Sequence, residues 1–65
     1  MSKEMEFFIY LIENYAYYKH TTADKVMNTL IKLNVLERVF NSYEFYHIEK
    51  LENAYEDIDK LISLQ

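Results

Sequence analysis

Imidazole and thiol chemistry are the first to test, because few residue types do more. The chain has two histidines, His20 and His47, and no cysteine. Disulfides, thiolate metal sites, iron–sulfur clusters and a cysteine nucleophile are therefore excluded. A histidine pair spaced one helix turn apart, as helical zinc sites need, is also missing. His20 is expected in a loop beside Thr21 and Thr22 as a solvated side chain. His47 follows Tyr43 and Tyr46, and is expected at the core edge with a backbone partner. Ser2, Ser42 and Ser63 lie near chain ends or links, without the strand–turn–helix setting of a nucleophile elbow. None of the carboxylates stands in a stretch that would raise its pKa into general-acid range. No enzyme activity, no metal and no other cofactor is expected.

Recognition chemistry is better represented. Seven tyrosines and four phenylalanines occur among 65 residues. Phe7, Tyr10, Tyr17 and Tyr18 fall within three turns of one stretch, Tyr10 and Tyr17 on its outer face and Phe7 and Tyr18 at the edge of that face. Aromatic rings, tyrosine above all, bury large area while keeping a polar handle, which suits them to protein interfaces. These four are expected to anchor a partner. The alternative is that Phe7 and Tyr18 pack beneath another helix while Tyr10 and Tyr17 simply lie on the surface.

Acidic side chains supply a second candidate surface. The net charge of −4 sits entirely in the last third of the chain. Glu49, Glu52, Glu56 and Asp59 recur at three and four residues, which lines them along one helical face. Like charges at that spacing repel, and a basic partner would relieve the repulsion and speed encounter. A solvated face offset by Lys50 and Lys60 is the plainer reading. Direct nucleic-acid binding is disfavoured, since phosphate contacts need clustered Lys and Arg.

The elements that must position these residues are helical. Glycine and proline are both absent, which removes most tight-hairpin chemistry and every glycine-rich phosphate loop. The expectation is an all-α fold, a small bundle of three to four helices in a single domain spanning 1–65. Ser2 caps a first helix running to about Lys19, with Met5, Phe8, Ile12, Tyr15 and Ala16 inward and Leu11 and Ile9 on the flanks. Thr21 or Thr22 caps a second, ending near Leu33 with Asn34 as its left-handed terminator. Beyond Val35, Leu36, Val39, Phe40, Tyr43 and His47 repeat in helical period, as do Ile48, Leu51, Tyr55, Ile58 and Ile62. Two helices with a bend between Asn41 and Glu49 are expected there. A buried strand over Phe7–Ile12 is the minor alternative.

The longest uncharged apolar run, Phe7 to Ile12, is far too short for a membrane span. A cytoplasmic protein with no membrane contact is expected. Burial at ~25 cal/mol per Å² nearly cancels the ordering entropy of so short a chain, so self-association is expected to add stability. Residues 21–40 also read as helix, turn, helix, which makes a small DNA-binding regulator the alternative. Its recognition helix would carry only Arg38 beside Glu37.

Several strings together resemble a family of small bacterial helical proteins of unknown function. They are Glu6-Phe7-Phe8-Ile9-Tyr10, Thr22 to Val26, Tyr43 to His47, and Leu51 to Asp59, with Glu56-Asp57-Ile58-Asp59 the most specific. Some members are encoded beside predicted ADP-ribosyltransferase-like toxins, so the resemblance implies an accessory or antitoxin-like role. It supplies no catalytic residues. Many relatives have glycine where this chain has Asn34.

Overall fold

Ser2 and Thr22 each open a helix by the same device. In the computed structural model, which describes residues 1–64, Ser2 Oγ accepts from the Met5 amide at 3.1 Å and Thr22 Oγ1 from the Lys25 amide at 3.3 Å. Each hydroxyl satisfies a backbone donor that the first helical turn leaves without a partner. The first begins α1, Lys3–Tyr18, and the second α2, Ala23–Lys32. Glu4 and Glu6, in the first turn of α1, stand at the positive end of its dipole.

Both helices also end alike. His20 and Asn34 take left-handed backbone conformations, with φ of 58° and 60°. The Thr21 amide donates to the Ala16 carbonyl at 2.9 Å, and the Val35 amide to that of Leu30 at 3.0 Å. The His20 and Asn34 amides close the inner bonds to Tyr17 and Ile31. These are Schellman terminations, which glycine usually provides. Without glycine, Asn and His fill the position, both being enriched at positive φ. Asn34 plays the part expected of it. His20 is exposed as expected, and it is in addition the residue that turns the chain.

Residues 35–64 depart from the expected two helices. Three segments follow: α3, Leu36–Phe40; α4, Tyr43–Tyr46; and α5, Leu51–Ser63. Among the described residues there are five helices instead of three or four, and only α1, α2 and α5 exceed two turns. The break between α3 and α4 lies at Asn41-Ser42, where Ser42 Oγ donates to the Arg38 carbonyl at 2.8 Å. A serine that bonds backward in this way competes with the helical ladder. A second break follows at His47–Lys50. Among the described residues there is no strand, and Phe7–Ile12 is wholly helical.

The core draws on every helix. Phe8, Leu11, Ile12, Tyr15 and Ala16 from α1 meet Val26 and Leu30 from α2, Val39 from α3, Tyr46 from α4, and Ala54 and Ile58 from α5. The α1 set follows the i, i+3, i+4, i+7, i+8 pattern of a buried stripe. Leu11 therefore lies at the centre of the packed arc, not on its flank, and Met5 falls outside it and is exposed. His47 and Ile48 are exposed as well, because α4 ends before the helical period can carry them inward. Phe8 meets Phe40 edge to face at 5.5 Å. At about 1.5 Å per residue α1 measures about 24 Å, comparable to the 26 Å longest extent of the molecule.

Candidate functional site

The aromatic stripe of α1 divides between two environments. Phe7 is half-buried, its ring set edge-on against Tyr43 at 5.6 Å and His47 at 6.5 Å. Tyr43 and His47 stack at 4.2 Å with their planes 7° apart. With Nδ1 protonated, His47 donates to the Tyr43 carbonyl at 2.6 Å, the backbone partner expected of it. At the far end of α1, Tyr18 stacks on Tyr55 of α5 at 4.9 Å. Phe7 and Tyr18 thus hold α4 and α5 against α1.

Tyr10 and Tyr17 face outward. Tyr17 is 84% exposed and Tyr10 52%. Asn14 lies between them and donates to the Tyr10 carbonyl at 2.8 Å. Tyr18, though stacked on one face, is 55% exposed. Three tyrosine rings therefore present open surface along one side of α1. Two further hydrophobic residues that the sequence reading did not place outside, Phe45 and Ile48, are 70% and 74% exposed. The chain shows 4850 Å² to solvent, somewhat above the ~4,500 Å² expected of a compact monomer of this mass.

The four acidic residues do not form one uniform face. Glu52 and Glu56 are exposed on α5. Glu49 precedes that helix and accepts from Asn53 Nδ2 at 3.0 Å. Asp59 turns toward α1, accepting from the Tyr15 hydroxyl at 2.5 Å and pairing with Lys19 Nζ at 3.2 Å. Burial, reinforced by the Asp59 carboxylate, pushes the Tyr15 phenol well above its ordinary pKa. Its hydroxyl stays protonated and ties α1 to α5. The Tyr15–Asp59–Lys19 cluster escaped the sequence reading. Tyr15 and Lys19 are one turn apart, which is visible in the sequence, but nothing local says that Asp59 lies opposite them.

Two surface grooves flank the last turns of α5. The larger, of about 630 Å³, lies between the end of α1, the first two turns of α2 and the end of α5. The smaller, of about 350 Å³, opens on the other side, lined by Arg38, Tyr46 and Asp57 among others. Burial raises the Tyr46 pKa, Ser42 acts against that and Asp57 with it. The helix pair expected over 21–40 exists as α2 and α3, but α3 has five residues and turns Val39 into the core. His20 and His47 sit toward opposite ends of α1: His47 packs on Phe7, and His20 follows Tyr18. At 1.5 Å rise those two positions are about 16 Å apart. No helix among the described residues is long and apolar enough to cross a membrane.

Comparison with known proteins gives a family. The family model described as "Protein of unknown function (DUF3791)" matches residues 6–64, and the chain belongs to that family. Membership of a family of unknown function, the coarser part of the resemblance noted from its short strings, thus extends over nearly the whole chain. No curated protein matches the chain, and no solved structure does.

Proposed function

We propose that this protein is a non-enzymatic interaction module that associates through the outward tyrosines of α1. The observation that carries the reading is Tyr17, 84% exposed, with Tyr10 and Tyr18 half-open beside it on the same side of one rigid helix. Tyrosine in that setting offers large contact area at low entropic cost. Self-association covers this stripe and adds the burial that a short chain lacks. Phe7 acts beneath it, holding α4 in place against the base of the surface.

Glu52 and Glu56, with Glu49 beside them, then remain for a second, basic protein partner, steering its approach more than binding it. Asp59 contributes little to that steering, since Lys19 offsets its charge. In the narrower, antitoxin-like version, this acidic face covers the basic nucleotide or nucleic-acid site of a partner enzyme.

Sedimentation equilibrium across a concentration range tests the reading. The unmodified chain is expected to form a dimer or larger species that the Tyr10→Ala/Tyr17→Ala double variant does not form. The circular dichroism of the two should be the same, because neither side chain enters the core. A monomer at every concentration, or association untouched by the double substitution, overturns it. High salt should leave the self-association intact and weaken only binding to a basic partner.

A further inference from the structure

The larger groove concentrates positive charge in a chain whose net charge is −4. Lys19, Lys25 and Lys60 stand around it, and Asp59 is its one acidic residue. Lys19 is spent on Asp59 at 3.2 Å. Lys25 and Lys60 make no ion pair among the described residues, which leaves two uncommitted ammonium groups bordering this concavity, Lys60 bordering the smaller groove as well. Between them the walls join apolar surface to the hydroxyl residues Thr21, Thr29 and Ser63: Val26 is buried, Ile62 half-buried, and the Tyr15 ring belongs to the core.

The volume of about 630 Å³ lies within the range of small-molecule sites, roughly 300–1,000 Å³. A purely inorganic anion would use the ammonium groups and leave the apolar wall wet. A neutral apolar molecule would use the wall and gain nothing from the lysines. The combination selects a molecule with both parts. Lysine, a compact point charge on a flexible stem, accepts a carboxylate or a phosphate ester alike.

We propose that this groove binds a small organic anion, an apolar body carrying one carboxylate or phosphate-ester head held by Lys25 and Lys60. The body lies on Val26 and Ile62, and the Tyr15–Asp59–Lys19 cluster forms the rigid end wall. The site lies beyond the α1 stripe and does not depend on the association proposed above.

Amide chemical shifts of the full chain, followed during titration, test the proposal with four probes: octanoate, phenyl phosphate, inorganic phosphate and neutral 1-hexanol. The first two distinguish a carboxylate from a phosphate-ester head, and saturable shifts with either one at Lys25, Val26, Thr29 and Ile62 are expected. Inorganic phosphate and hexanol should each bind about tenfold or more weakly than the better organic anion, since each lacks one of the two contacts. The Lys25→Gln/Lys60→Gln chain should lose about tenfold in affinity for that anion while keeping its fold, both side chains being exposed. Absence of saturable shifts with both organic anions overturns the proposal. So do shifts centred elsewhere, an equal response to hexanol, or indifference to the double substitution.

Discussion

Tyr15 and Tyr17 stand two residues apart on one helix and meet opposite fates. Tyr15 is buried, its hydroxyl bound to Asp59 and its ring 5.7 Å from that of Tyr55. Tyr17 is among the most exposed side chains of the molecule. Residue type does not separate them. A two-residue step rotates a helical side chain by about 200°, so the geometry that seats one ring in the core turns the other away from it. The inward face of α1 is explained by folding, whereas the outward tyrosines are not, and that asymmetry is the basis for assigning them to association.

The contrast can be broken most forcefully at Tyr15. Tyr15→Ala should cost about 3–5 kcal/mol, enough to unfold a domain this small, while Tyr17→Ala, compared at a concentration dilute enough for the parent to be monomeric, should stay within about 0.5 kcal/mol of it. Urea denaturation followed by circular dichroism measures both. Equal costs would show that Tyr17 also supports the monomer. Tyr18→Ala should fall between them, at about 1–2 kcal/mol, because it loses only the stacked face against Tyr55.

Tyr15→Phe sharpens the comparison by removing one oxygen. Asp59 keeps Lys19, so the expected loss is about 1–2 kcal/mol. Its pH dependence is more specific. The folded pKa of Tyr15 lies above the ordinary value, so its contribution is complete below pH ~10 and is lost as pH rises through the folded pKa. Stability of the parent should therefore fall more steeply above pH ~10 than that of Tyr15→Phe, while Tyr17→Phe should follow the parent. Parallel alkaline limbs for all three would contradict the role given to the Tyr15–Asp59 bond.

The smallest effects are expected at the two helix ends. His20→Gly should stabilise by up to about 1 kcal/mol, since glycine reaches the left-handed conformation without steric cost, and Asn34→Gly should gain less. Thermal midpoints would rank the two.

These ends also show how the sequence could be read and where it could not. Residues 1–34 carry their instructions locally: Ser2 and Thr22 as caps, Asn34 as terminator, and an apolar stripe through Phe8, Ile12 and Tyr15. Their helices were legible to within a residue or so. Residues 35–64 carry fewer. None of α3, α4 and α5 has a side-chain cap hydrogen bond, and their boundaries depend on contacts with α1 and α2. The continued helical period through Tyr43, His47 and Ile48 therefore suggested two helices with a single bend between Asn41 and Glu49, where the chain breaks twice, on either side of the one-turn α4. Tyr46, buried in the core, was overlooked for the same reason.

The candidate surface was legible in part. Spacing alone put Phe7, Tyr10, Tyr17 and Tyr18 on one side of a helix. Which of them are covered within the chain depends on where α4 and α5 pack, and that is tertiary information. Asp59 illustrates the limit most clearly: its spacing groups it with Glu52 and Glu56, yet Tyr15 and Lys19 claim it. The basic groove had no local signature, since its lysines come from the residue that ends α1, from α2 and from α5.

The most direct test is a dilution series of the full chain followed through its tyrosine ring signals. If the outward stripe is the self-interface, Tyr10, Tyr17 and Tyr18 shift together and saturably with concentration, while Tyr15 and Tyr46 stay fixed. Signals that do not change with concentration, or changes confined to the surroundings of Phe45 and Ile48, would contradict the assignment of that stripe to association.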